Sequence, residues 1–142
     1  MEKRKKSVGI LILAKKTNRF LLLHRVNNPR TWSTLAGKME ENETPKETIK
    51  REIFEEIGIN SDILNSIEEV GMVGSHHVMV GITDKEFEIP NLKLDENDDY
   101  GWFTEKTLPS PMHPKWEDSF NLIKPLINLR EVFVKNFKHL IK

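Results

Sequence analysis

Two stretches near the start of the chain are apolar without interruption, Val8 to Ala14 and Phe20 to His24, and the polar segment KKTNR separates them. Runs of that length with no alternation predict strands covered on both faces, paired as a hairpin or as neighbours. From Pro45 to Ile57 the pattern changes to a helical one. Ile49, Ile53 and Ile57 fall on one stripe with Phe54 at its margin, a face predicted to be buried. Thr44, Pro45 and Glu47 read as N-cap, first-turn proline and capping-box acid, and Gly58 as the stop. Further on, Val70–Val73 and Val78–Ile82 are short β-branched runs, and Phe87–Leu94 is an edge strand or loop because of Pro90. Trp102 to Thr104 reads as a short core strand. Lys115–Leu129 and Val132–Ile141 return to helical spacing, and Pro125 predicts a kink or break in the first of them. One of these helices is expected to cover the sheet opposite Pro45–Ile57.

The order of elements predicts an α+β fold, with a mixed sheet sandwiched between helices as α/β/α. A length of 142 residues, 37% hydrophobic and 31% charged, suits one domain over 1–142, with residues 1–6 as a frayed basic arm. Lysine plus arginine and aspartate plus glutamate each number 22, so charge points to no stable nucleic-acid or membrane-surface binding. The chain has no cysteine, which excludes disulfides, thiolate metal sites and a cysteine nucleophile, and suits a cytoplasmic location. Lys15 and Lys16 end the first apolar run before it could serve as a signal or membrane segment.

The chemistry concentrates on the predicted helix. Glu52, Glu55 and Glu56 share an arc in its C-terminal half, where they repel one another and the helix dipole disfavours each by roughly 0.3–1 kcal/mol. Either the arc is solvated and partly neutralised by Lys50 and Arg51, or a hard cation such as Mg²⁺ offsets the charge. Spacing favours the cation. Gly37, Glu43, Arg51-Glu52-Ile53, Glu55-Glu56 and Gly58-Ile59 stand, without a gap, at the positions of the signature of the Nudix hydrolases, which the chain therefore resembles.

The resemblance implies the Nudix fold and a metal-dependent pyrophosphohydrolase. It implies divalent-metal ligation by Glu52, Glu55 and Glu56, completed by the carbonyl of Ala36, with Arg51 and Glu43 orienting the acids. Glu52 is sometimes the base in similar proteins. In the family a loop acid before an aromatic strand also reaches the metals as ligand or base; among DENDD (95–99), Glu96 is the choice, with Asp98 and Asp99 next. Arg25 and Arg30 lie near enough in sequence to meet substrate phosphates, or are surface charges. Trp32 either plugs the core edge or touches substrate, and Gly37, in a segment read as loop from Leu35 to Glu41, permits close backbone approach. Glu40 and Glu41 are expected to be solvated. His76 and His77, adjacent on a strand, point to opposite faces and do not chelate one ion, although either alone could face a cleft. Tyr100 and His113 are candidates for contact with a base, with packing or exposure the commoner fate.

The expected substrate is a nucleotide-derived small molecule: a nucleoside diphosphate linked to another moiety, such as ADP-ribose or a dinucleoside polyphosphate, favoured because AGK (36–38) resembles the motif start of ADP-ribose hydrolases. The competing readings are an antimutator-type hydrolase of oxidised nucleoside triphosphates and a non-catalytic ligand sensor. Mg²⁺, with Mn²⁺ as the alternative, is the expected cofactor, and the sequence leaves a homodimer open.

Overall fold

The computed structural model describes residues 6–137, with the backbone alone beyond residue 127. Most of the basic arm and the end of the last apolar stretch therefore lie outside the described residues. The uninterrupted apolar runs form β1 (Ser7–Ala14) and β2 (Arg19–Arg25). Both are covered on two faces, which is why neither alternates: Ile10 and Ile12 join one core, Leu11 and Leu13 the other. The remaining strands are β3 (Trp32–Ser33), β4 (Leu35–Lys38), β5 (Ser66–Val73), β6 (His76–Thr83) and β7 (Asn97–Phe103).

β1 is the axis of the sheet. Along one edge it pairs in parallel with β6 over its whole length, and β5 adds antiparallel to β6. Its other edge changes partner part-way. Ser7 to Ile10 pair with β4, whereas Leu13 and Ala14 pair with β2, which in turn carries β3 and β7. The sheet is mixed, and it parts between β4 and the β2–β7 ribbon.

Helix α1 (Pro45–Ile57) has the bounds its end signals predict. The Thr44 hydroxyl accepts from the Glu47 amide at 3.2 Å and the Glu47 carboxylate accepts from the Thr44 amide at 2.9 Å, while Gly58 closes the helix at φ 67°. Ile49, Ile53 and Ile57 are buried on one face of the sheet, but Phe54 is exposed. At about 100° per residue it lies too far round from the isoleucine stripe to reach the sheet. Thr44→Ala is expected to cost about 1 kcal/mol in a urea titration, without changing the denaturant slope.

Helix α2 (Trp116–Phe137) covers the opposite face through Trp116, Phe120 and Ile123. It is one helix rather than two, and Pro125 lies inside it. Pro125 is exposed, while Ile123 before it is buried and Ile127 after it packs on the same core. Two further readings change. Leu35–Lys38 is a strand, not a loop, because β1 supplies its partner. The short strand at Trp102 begins at Asn97, so Asp98 and Asp99 lie on β7. The segment 87–94 is loop, anchored by buried Ile89. Among the described residues no helix is long and apolar enough to cross a membrane.

Candidate active site

Where the sheet parts, a cleft of about 530 Å³ opens, lined among others by Ala36, Gly37, Arg25, Glu56 and Glu96. Its acidic end is built by α1. A Cβ on Gly37 would stand 2.2 Å from Cδ of Glu52, so the glycine is what lets the Glu52 carboxylate lie against β4. One helical turn on, Glu56 is buried, with 7% of its surface exposed. Glu96 reaches the cleft because the Val26 amide donates to its carbonyl, tying the loop to the end of β2.

Arg51 holds the helix acids in place. Its Nε and Nη2 donate to the two Glu43 oxygens at 2.8 and 2.9 Å, Nη1 to Glu52 at 2.9 Å and Glu55 at 3.1 Å, and Nη2 also to the carbonyl of Lys38. The Arg51 hydrogen bonds, with those from the Glu40 amide and Thr48 hydroxyl, hold the Glu43 carboxyl down at about 2. Lysine could not make this fork. Arg51→Lys is expected to weaken magnesium affinity and turnover by roughly 10–100-fold, the usual cost of losing a residue that orients ligands. Mg²⁺ titrations of turnover would register it.

The remaining acids are not so compensated. Burial, with Glu55 and Glu96 nearby, pushes Glu52 up against the opposing pull of Arg51. Burial again, together with Glu52 and Glu96, pushes Glu56 up to about 8. Arg25 and Lys93 oppose this, yet no described side chain or amide donates a hydrogen bond to the Glu56 carboxyl. A largely buried glutamate whose carboxyl opens to the cleft without a donor, two further carboxyls in electrostatic range and an all-oxygen donor set fit a hard divalent cation. Among the described residues no three such groups already converge on one point. Glu52, for its part, is engaged by Arg51.

Other predicted residues are distributed unevenly. Glu55 is exposed, and Glu40 and Glu41 are solvated. Arg30 does not line the cleft; it is ion-paired with Asp98, which also meets His24 at 2.6 Å. Asp99 accepts from the amide of Tyr100. Trp32 packs between His24 and Phe103, with ring centroids at 5.0 and 5.5 Å, and does not line the cleft either. The Tyr100 hydroxyl accepts from the Ile89 amide, away from the cleft. His76 and His113 do line it, as do Ser7, Lys115 and Trp116. Nothing in the sequence marks Ser7 or Lys115, which only the β1–β6 pairing and the start of α2 bring to the site.

A family model described as the NUDIX domain matches residues 3–124. The chain belongs to the Nudix family. Nudix hydrolases as a family use divalent metal ions. Among similar proteins, the dihydroneopterin triphosphate diphosphatase of Haemophilus influenzae is 41% identical over 58 residues, which is 41% of this chain and only 37% of that protein. Two solved Nudix structures superpose on nearly the whole fold. The Escherichia coli dihydroneopterin triphosphate pyrophosphohydrolase has a TM-score of 0.68 at 22% identity, covering 90% of this chain and 99% of that one. The MutT NUDIX hydrolase from Burkholderia pseudomallei has 0.68 at 23%, covering 86% and 99%. At such identities the superpositions establish the shared Nudix fold.

Proposed function

We propose that this Nudix protein is a Mg²⁺-dependent pyrophosphohydrolase of a nucleotide-derived small molecule, cleaving a diphosphate linkage by attack of water. The observation that carries the reading is Glu56, a largely buried residue whose carboxyl faces an open cleft with no hydrogen-bond donor on it, beside Glu96 in the lining and within electrostatic range of Glu52. Glu52, Glu56 and Glu96, with Glu55 and the Ala36 carbonyl, would hold the ions. Bound divalent cations neutralise a diphosphate, orient the attacking water and stabilise the departing phosphate.

The protein's own groups divide the remaining work. Arg51 fixes Glu52. Glu96, paired with Lys93 at 3.6 Å rather than held by an arginine fork, accepts the proton of the water as the water oxygen bonds to phosphorus and the bridging P–O bond breaks. Arg25, lining the cleft and within electrostatic range of Glu56, offsets the charge of the phosphates.

Two substrate classes compete. The AGK motif start favours a nucleoside diphosphate linked to another moiety, giving a nucleoside monophosphate. The relatives named for a pteridine triphosphate favour a triphosphate, giving pyrophosphate. A panel of ADP-ribose, dinucleoside polyphosphates, dihydroneopterin triphosphate and oxidised and normal nucleoside triphosphates, assayed with Mg²⁺ for released phosphate products, tests the reading. Turnover of one class selects it. Binding of a panel member without cleavage would instead make the protein a sensor.

A further inference from the structure

The cleft also carries two imidazoles that the catalytic reading does not use. His113 lies three residues before the start of α2, and its Nδ1 accepts a hydrogen bond from the Lys115 amide at 3.1 Å. Because a backbone N–H can only donate, Nδ1 is unprotonated and the proton of the neutral ring sits on Nε2, which bonds no described residue. His113 is further held from behind. Its amide donates to the Trp32 carbonyl and its carbonyl accepts from the Trp116 amide, both at 2.9 Å.

His76 comes from the start of β6. Its Nδ1 shares a 2.7 Å hydrogen bond with the Ser7 hydroxyl, and its Nε2 also lacks a described partner. The ring lies over Gly9, where a Cβ would stand 2.7 Å from Nε2. Burial depresses both imidazoles below the ordinary histidine range. His77, Lys115 and His113 add to this at His76, and Arg25 and Lys115 add to it at His113. Both are therefore neutral at pH 7. Arg25 stands within electrostatic range of both Glu56 and His113. Leu23, Val73 and Trp116 supply the apolar lining of the cleft.

A neutral donor on His113 and a second neutral imidazole at His76, beside apolar walls, suit an uncharged heteroaromatic group better than a further phosphate, which a cationic group would hold more strongly. We propose that His113 and His76 form the subsite that reads the heteroaromatic ring of the substrate, His113 donating its Nε2–H to a ring carbonyl or ring nitrogen. This rests on the reading of the cleft as a nucleotide site but not on catalysis, so it is tested by binding.

Calorimetry with guanosine monophosphate, and with ribose 5-phosphate as the same phosphate lacking the ring, separates the two ends of the ligand. The wild-type protein is expected to bind the nucleotide more tightly than the sugar phosphate. His113→Ala and His76→Ala are each expected to weaken the nucleotide by about 10-fold, the worth of one ordinary hydrogen bond, and to leave the sugar phosphate unchanged. His113→Gln, which keeps a donor, is expected to recover part of the loss. Ser7→Ala removes the support of His76 without opening a hole over Gly9, and serves if His76→Ala does not fold. Equal affinity of the wild type for the two probes, or variants that lose both equally or neither, would overturn the proposal. Absence of cleavage across the substrate panel, by contrast, would remove the catalytic reading and leave this result standing.

Discussion

Glu56→Gln is expected to push activity and stability in opposite directions. Turnover with Mg²⁺ should fall by more than about 100-fold, beyond the roughly 10–100-fold lost with an orienting residue, because a carboxylate proposed to hold the cation itself is gone. Stability of the metal-free protein should rise at alkaline pH. Burial holds the folded carboxyl at about 8, whereas the unfolded one titrates at the ordinary 4.5. Below 4.5 both states are protonated and the group contributes nothing. As pH rises between the two values the unfolded chain gives up the proton while the folded one retains it, so stability drains away until about pH 8 and then levels off. By linkage the loss amounts to as much as about 5 kcal/mol. Thermal melts in chelator should find wild type and variant alike near pH 5 and the variant more stable at pH 8. The wild type should recover on adding Mg²⁺ at pH 8, and the variant should not. Parallel melting curves across that range would mean that the carboxyl is not held in this environment.

Gly37→Ala is the second large effect. The added methyl would stand 2.2, 2.3 and 2.5 Å from Cδ, Oε1 and Cγ of Glu52, so the clash involves the stem of the side chain and not only its tip. Glu52 would have to leave the position in which Arg51 binds it. Expected are a loss of turnover of about 10–100-fold and a destabilisation of about 1–3 kcal/mol from overpacking. Adding Glu52→Asp shortens the clashing side chain and should return much of the stability while leaving the enzyme inactive. A fully active Gly37→Ala would contradict the placement of Glu52 against β4.

How much of this was legible in the sequence depended on whether the determining contact was local. The bounds of α1 follow from Thr44, Pro45, Glu47 and Gly58, all within reach of the helix they delimit. β1 and β2 are readable because burial on both faces leaves an unbroken apolar run. β4 is not, since LAGK has nothing strand-like in it and becomes a strand only because Ser7 to Ile10 present an edge. Pro125 carries a correct local signal that tertiary structure overrides: it removes one backbone donor from an exposed position, and the helix is held by apolar residues packed on either side.

The same division runs through the site. Glu52, Glu55 and Glu56 declare themselves by helical spacing, and the structure sorts them by depth, from exposed Glu55 to buried Glu56. Among the loop acids, composition alone could not separate Glu96 from Asp98 and Asp99. Asp98 is held by His24 and Arg30 and Asp99 accepts from the amide of Tyr100, whereas Glu96 lines the cleft with Lys93 as its ion-pair partner at 3.6 Å. Ser7 and His76 were illegible as a pair because they meet only through the parallel register of β1 and β6.

That one strand changes partners along a single edge has a further bearing on what the molecule can accept. Because β1 pairs with both β4 and β2, the strands that carry Ala36 and Arg25 are held to one common strand, and the spacing of those two backbones is set by the sheet rather than by the loops that bring Glu96 and His113. A ligand that engages both strands is thereby measured against a separation that the sheet maintains. One too short to span it would lose hold of one strand, so part of any selection by length would come from the framework itself.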